Sequence, residues 1–255
     1  MNSKKVALVV GCGGFNNIGW ATVVKLMEEG YHVIGSDIEL TANIPTGPGD
    51  EFYPMDATDK QEIERVIGDI ERVHGRLDVI VNSAGVNILG TIDEYAEEDF
   101  DKTIAVNLKS NFLLLQAFVR HFDDTDYKKS FVVVGSDTGM IAKSATFAYG
   151  ASKAGVQHFV RCAARELNKY HKNWVVTALA IGMVAGTPMD NRTIDDLTSQ
   201  RDITEEEARE MLTANIPTGR GATPAEVAGW LHFLATDGEY ATGNVLKVDS
   251  GQLQG

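Results

Sequence analysis

The sequence predicts an α/β fold: one domain, residues 1–255, built on a doubly wound parallel sheet of about seven strands with helices on both faces. Three observations predict it. Short apolar runs bounded by turns alternate with longer amphipathic stretches along the whole chain. The first apolar run passes directly into a glycine-rich turn that opens a helix. The length, 255 residues with 44% hydrophobic and 23% charged residues, suits one ordinary globular domain, and no repeat or linker divides it.

The elements follow in order. Val6 to Val10 is a buried strand, and Ile18 to Glu29 a helix closed by Gly30. Tyr31 to Ser36 is the second strand, followed by a loop with Pro45, Gly47, Pro48 and Gly49. Phe52 to Met55 is a short strand. Thr58 to Gln61 has the form of a capping box and opens a helix to His74. Leu77 to Val81, Phe131 to Val134, Trp174 to Ala180 and Val245 to Val248 are further strands, with helices near 96–121, 147–170 and 223–236. The last helix opens on a second capping box, Thr223 to Glu226, with Pro224 at its first position. Between the sixth strand and that helix lie about 40 residues, longer than a simple connection needs. They hold two amphipathic stretches, Asn191 to Ser199 and Thr204 to Ala214, the second opened by the capping box Thr204 to Glu207. Such an excursion after a strand's carboxyl end predicts a substrate lid over 187–217, with a packed surface insertion as the alternative.

Charge and composition exclude several classes. Lys and Arg number 23 against 36 Asp and Glu, a formal charge of -13. Nucleic acids and anionic membranes require a basic footprint, so neither is an expected partner. No run reaches the ~18 to 20 apolar residues that span a bilayer. The basic start, Met1 to Lys5, leads into the first strand and a glycine-rich turn, which reads as mature protein rather than a signal peptide. Cys12 and Cys162 are far apart and form neither a disulfide framework nor a metal-ligand cluster. Reduced thiols, no metal and a cytoplasmic location are the expectation.

The turn after the first strand reads Gly11-Cys12-Gly13-Gly14-Phe15-Asn16-Asn17-Ile18-Gly19. Glycines there let the backbone turn tightly and approach a pyrophosphate, and the helix start offers free N–H groups. Asp37 ends the second strand, where a carboxylate accepts hydrogen bonds from both ribose hydroxyls of an adenosine and repels a 2′-phosphate. Glu39 adds negative charge, and no Lys or Arg lies in 38–50. These features predict NAD rather than NADP.

Tyr149 and Lys153 are spaced i and i+4, on one helix face. A lysine cation and the positive nicotinamide ring would lower the phenol pKa from about 10 toward that of a useful base. Ser136 falls at the carboxyl end of the fifth strand, where open α/β sheets bind ligands.

Together these motifs resemble the short-chain dehydrogenase/reductase family over essentially the whole chain. Asn82-Ser83-Ala84-Gly85 resembles the family's N-N-A-G, and Thr242 to Gly251 its terminal T-G-x-x-x-x-V-D-G-G. The resemblance implies a Rossmann fold and an NAD-dependent oxidoreductase acting on a secondary alcohol or ketone. It implies Ser136, Tyr149 and Lys153 as catalytic serine, tyrosine and lysine, with Asn107 supporting a proton relay. Tyr149 would take the hydroxyl proton as hydride leaves the carbon. Lys153 would bind the nicotinamide ribose, and Ser136 would orient the substrate oxygen. Cofactor contacts are implied at Gly11, Asn17, Ile18, Gly19, Asp37, Asp56, Ala57, Asn82, Ala84, Gly85, Tyr149, Lys153, Val184 and Thr187. Family members are commonly tetramers, so a homotetramer or homodimer is expected. Phe112 to Leu115 and the helix after Tyr149 are apolar enough to pack between copies or against the sheet.

Departures from the family pattern matter too. Val10 stands where the family has threonine, and the glycine turn is two residues longer than T-G-x-x-x-G-I-G. That length is more like the enoyl-acyl-carrier-protein reductases of the same superfamily, which usually space tyrosine and lysine by seven. Asn17 would offer its side-chain amide to a phosphate. The family's P-G-x-V-x-T appears as Ile181 to Thr187, without the proline and one residue longer.

The resemblance puts Asp137, Thr138, Met140, Ile141, Met183 and 87–89 on the pocket wall with the lid. Asp137 reads either as a substrate contact or as a solvated loop acid, Lys143 as a surface lysine, and Trp20, Trp174 and Trp230 as packing residues. Rival activities are an enoyl-type reductase, a non-catalytic NAD sensor and a halohydrin dehalogenase. The intact Ser136, Tyr149 and Lys153 argue against the sensor, and Lys153 with Asp37 against the dehalogenase.

Overall fold

The computed structural model describes residues 4–39 and 51–252. The strands are β1 Val6–Val10, β2 His32–Asp37, β3 Glu51–Pro54, β4 Val79–Asn82, β5 Lys129–Val134, β6 Trp174–Ile181 and β7 Val245–Val248. The helices are α1 Ile18–Glu28, α2 Lys60–His74, α3 Glu97–Ile104, α4 Ser110–Phe122, α5 Phe147–Tyr170, α6 Pro188–Arg201, α7 Glu205–Thr213 and α8 Pro224–Thr236. Every strand pairs in parallel, in the order β3-β2-β1-β4-β5-β6-β7. The order reverses between β1 and β4, which opens a crevice at their carboxyl ends.

Strand alternation divides the core in two. Val6, Leu8 and Val10 of β1 face one cluster, with Ile63, Val66 and Ile67 of α2, Phe118 of α4 and Val156 of α5. Ala7 and Val9 face the other, with Val23 and Leu26 of α1 and Val227 and Leu231 of α8. Each face of β1 is therefore buried under different helices, which is why the run is apolar throughout. Trp174 lies in the first cluster, edge-on to Phe118 at 4.9 Å between centroids. Trp230 departs from the packing expectation and is 43% exposed. Leu113, Leu114 and Leu115 are buried within the chain, and Phe112 alone of that run faces outward.

The capping boxes at Thr223 and Thr204 form as the sequence predicts, each hydroxyl accepting from the N–H three residues on. The box expected at Thr58 does not cap α2. Asp59 does, accepting from the N–H groups of Gln61 and Glu62, while the Thr58 hydroxyl donates to Asp56. A carboxylate one residue closer to the helix outcompetes the hydroxyl for those N–H groups. The predicted helix at 96–121 is likewise not uniform. Ala105–Lys109 winds as a π-helix between α3 and α4. Pro45, Gly47, Pro48 and Gly49 lie outside the described residues. Among the described residues, no helix is long and apolar enough to cross a membrane.

Candidate active site

The carboxyl ends of β1, β2, β4, β5 and β6 bring the candidate residues to one edge of the sheet. At β1, Gly11 has φ +84 and its N–H donates to Ser36 O at 2.8 Å. A Cβ on Gly13 would sit 2.2 Å from Glu39 O, and one on Gly19 would sit 2.3 Å from Gly11 O. Both positions therefore require glycine, because backbone cannot yield as a side-chain tip can. Asn17 caps α1 through Oδ1, which accepts from Trp20 N–H at 2.7 Å. The cap leaves the N–H groups of Ile18 and Gly19 without a partner inside the helix, a donor set that fits a pyrophosphate. At β2, the Asp37 carboxylate accepts from Gly13 N–H at 2.7 Å and from Ile38 N–H at 2.8 Å. Those bonds fix it beside the turn with lone pairs to spare for ribose hydroxyls. The cradle thus fits a nicotinamide dinucleotide.

Several expected cofactor residues also hold the loops around the site together. Asn82 is buried, and its amide donates to Ser110 and Asn111 while accepting from Ala84 N–H. It shapes the loop that carries Ala84 and Gly85. A Cβ on Gly85 would lie 3.5 Å from Asn107 Oδ1 and 3.6 Å from Lys153 Nζ, so that glycine borders both candidate residues. Asp56 accepts from the N–H and hydroxyl of Thr58, and Ala57 is buried in the core. Thr187 is buried as the cap of α6, donating to Val184 O and accepting from Asp190 N–H. Val184 bridges Ala222 through its backbone.

At β5, Ser136 begins a turn of 3-10 helix over Asp137–Gly139, and the helix α5 brings Tyr149 and Lys153 against it. Burial pushes the Tyr149 phenol up to about 12, opposed by the neighbouring Ser136 hydroxyl, with the Asp137 charge raising it further; the Ser136 Oγ itself donates to Asp137 Oδ1 at 3.1 Å. The Lys153 Nζ donates to Val134 O at 2.8 Å and lies 5.6 Å from the Tyr149 ring centroid. Burial pulls its pKa down to about 8. Burial thus dominates the Tyr149 phenol in the protein itself, against the lowering expected from a lysine and a nicotinamide cation together.

Asn107 occupies the π-helical turn. Its Nδ2 donates to Val86 O at 2.9 Å and Ser152 Oγ at 3.0 Å, and its Oδ1 accepts from Val86 N–H at 2.8 Å. The turn also leaves Asn107 O to accept from the Asn111 side chain at 2.8 Å. Such widened turns recur at functional sites because they free a carbonyl from the helical ladder.

Sequence reasoning missed several supports. Asn111 joins Asn82 to Asn107, and its i+4 spacing from Asn107 was the available signal. Gln157 donates to Ser136 O, also one helical turn from Lys153. Asp137 is not a solvated loop acid. It is buried, accepts from the hydroxyls of Ser136 and Thr138, and pairs with Lys143 at 2.9 Å. Asn16, in the lengthened turn, donates to Gly186 O at 2.6 Å and so joins the turn to the start of α6. Cys12 is buried with its thiol pushed up to about 12, and Cys162 is exposed; both are free.

Comparison with known proteins identifies the class. A family model described as "Enoyl-(Acyl carrier protein) reductase" matches residues 13–252. The chain belongs to the short-chain dehydrogenase/reductase family and is an oxidoreductase of that family, whose members bind nicotinamide cofactors. It is 34% identical to the 3-oxoacyl-[acyl-carrier-protein] reductase of Thermotoga maritima, over 97% of each chain. It is 31% identical to an NAD-dependent glycerol dehydrogenase of Listeria innocua, over 98% of this chain and 94% of that one. The crystal structure of sorbitol-6-phosphate 2-dehydrogenase from Erwinia amylovora superposes with a TM-score of 0.89 at 27% identity, over 98% of this chain and 100% of that one.

Proposed function

We propose that the protein transfers a hydride between NAD(H) and a secondary alcohol or ketone, with Tyr149 as general acid and base. The observation that carries this reading is the convergence of Ser136, Tyr149 and Lys153 at the carboxyl end of β5, beside Gly85 and Asn107. Bound NAD supplies the hydride acceptor and a positive ring near the phenol. In oxidation, Tyr149 takes the hydroxyl proton as hydride leaves the carbon. Ser136 orients the substrate oxygen, and Lys153 holds the ribose and stabilises the phenolate. Asn107 supports the proton path to solvent. In reduction Tyr149 returns the proton. A phenol held near 12 carries its proton and can give it up in reduction, and a nicotinamide cation that lowers it improves it both as acid and as base.

The Asp37 carboxylate beside the turn supports NAD over NADP, through acceptance from ribose hydroxyls and repulsion of a 2′-phosphate. The helices α6 and α7 are the substrate lid within a single domain. A cleft of about 610 Å³ beside α7 is lined by Met183, Arg209, Thr213 and Gly221, and by Glu205 and Glu210; it includes Met183 of the expected pocket wall and none of Ser136, Tyr149 and Lys153. Cytoplasmic location and assembly as a homotetramer or homodimer remain part of the proposal, the outward Phe112 being a candidate contact.

A second reading, an enoyl-type reductase, is favoured by the lengthened turn at 11–19. The four-residue spacing of Tyr149 and Lys153 favours the alcohol reading.

The test is NADH and NADPH formation with a panel of secondary alcohols, wild type beside Tyr149→Phe. We expect turnover with NAD, lost by ~10²- to 10⁴-fold in the variant while NADH affinity changes little. A variant with near-normal rate removes Tyr149 from the chemistry, and a preference for NADP removes Asp37 from cofactor choice. NADH binding without turnover of alcohols, ketones or enoyl thioesters leaves the sensor.

A further inference from the structure

We propose that His32, Glu51 and His74 form a zinc-class metal site at the amino end of the sheet, where the metal clasps the edge strand to its neighbours. The three residues come from three elements: the first residue of β2, the first of β3 and the last of α2. They are separated by many residues in sequence, so the reading of motif spacing expected no metal.

The geometry is that of a coordination sphere. The His32 Nε2 lies 3.3 Å from Glu51 Oε1, and the His74 Nε2 lies 3.2 Å from the same oxygen. One ligand atom from each residue falls within 4.8 Å of the other two. Zinc binds imidazole nitrogen at about 2.0–2.1 Å and carboxylate oxygen at about 2.0–2.2 Å, and a tetrahedral angle then sets donors about 3.3 Å apart. Two of the three edges therefore already have the lengths that a bound ion requires.

The hydrogen bonding points the same way. His74 Nε2 is buried and has no hydrogen-bond partner, although the Glu51 carboxylate is 3.2 Å away. The nitrogen is close to the oxygen but not aligned to donate to it, so as a hydrogen-bond pair the contact is unsatisfied. As two ligands of one ion, both atoms are satisfied. The other carboxylate oxygen, Glu51 Oε2, accepts from the Tyr53 hydroxyl at 2.9 Å, which holds the carboxylate in orientation as outer-shell partners of metal ligands do. The imidazole rings pack at 4.7 Å between centroids, tilted by 40°. Neutral, metal-bound rings tolerate that approach better than two imidazolium cations.

The ligand chemistry narrows the ion. Two imidazoles and one carboxylate suit zinc and exclude calcium or magnesium as the resident ion, since those take oxygen donors. The side chains are 21%, 34% and 14% exposed, so a water can complete the fourth position. The role is structural rather than chemical. β2 carries His32 at one end and Asp37 at the other, so the site lies across the sheet from the candidate active site. The strand β3, four residues long and at the sheet edge, gains a cross-link to β2 and α2. The proposal is independent of the dehydrogenase reading.

The experiment uses the full chain, stripped with chelator and dialysed against zinc or cobalt(II). We expect one metal per chain by elemental analysis, the intense visible bands of tetrahedral cobalt(II), and a higher melting temperature with excess zinc. His74→Gln and Glu51→Gln each abolish all three, with circular dichroism confirming that the variants fold; His32→Gln serves if either does not. Cys162→Ser retains all three, which separates this site from adventitious binding at the exposed thiol. Failure to bind stoichiometrically, or binding unchanged in the folded His74 and Glu51 variants, overturns the proposal.

Discussion

Two regions flank the candidate active site and are held in opposite ways. Beneath it, Asn82, Asn107, Ser110, Asn111 and Ser152 form a polar hub, each at most 2% exposed and each bonded to another member. At its mouth, the lengthened turn meets the start of α6 through the exposed bond from Asn16 to Gly186. A buried, fully satisfied network has no solvent to replace its bonds and stays fixed. An exposed bond exchanges readily with water. The difference assigns rigidity to the atoms that hold Gly85 and Lys153, and the capacity to part to the seam through which ligands would pass.

The largest expected effect breaks the hub. Asn107→Leu is close in volume but strands the Val86 N–H and the Val86 carbonyl, while the Ser152 hydroxyl keeps its bond to Tyr149 O. At about 1–3 kcal/mol for each unsatisfied group, the cost is about 2–6 kcal/mol. Chemical denaturation measures it. A cost below about 1 kcal/mol would mean that the hub relaxes as easily as the seam, and the contrast would fail.

An intermediate effect concerns the charge above the hub. Lys153 ionises near 8 in the folded chain, below its ordinary value of 10.5, because burial disfavours its cation. Between those values the unfolded chain binds more protons, so this lysine makes stability rise with pH from about 8 to 10.5. Tyr149 acts oppositely, since a phenol raised to about 12 loses stability as pH climbs from 10 to 12. The stability of wild type relative to Lys153→Met should therefore increase across pH 8–10 in cofactor-free protein, by up to about 3 kcal/mol. A flat difference would show that Lys153 is better solvated than its 4% exposure implies.

The fold and the clustering of the candidate catalytic groups were legible in the sequence because both rest on local signals. Apolar runs of strand length, capping boxes at Thr204 and Thr223, and the i, i+4 pair Tyr149 and Lys153 are read within a few residues. What was missed depends on tertiary approach. The bonds from the Asn82 amide to Ser110 and Asn111, thirty or so residues away in a single buried cluster, leave no local signal in its motif. The solvated-acid reading of Asp137 fails because Lys143 folds back on it. The π-helical turn at Ala105–Lys109 has no propensity signature; it follows from the bonds that Asn107 and Asn111 make once packed. The His32, Glu51 and His74 group comes together only when β2, β3 and α2 are aligned.

The smallest expected effect tests the seam. Asn16 sits at φ +62, a left-handed conformation that glycine adopts without strain, so Asn16→Gly removes the side-chain bond and preserves the backbone. Losing one exposed hydrogen bond should change global stability by no more than about 0.5 kcal/mol. The local consequence should be larger than the global one. Gly186 also donates to the buried Asp190 carboxylate, which in turn lies 3.6 Å from Arg209 of α7, so one end of the proposed lid is anchored through this short stretch. Amide hydrogen exchange across 187–213 should therefore quicken in the variant while the amides of β5 and α5 remain as protected as in wild type. Equal protection in both proteins would mean that Asp190 and Arg209 hold α6 and α7 without the turn, and the two added residues at 11–19 would then need another purpose than binding the lid.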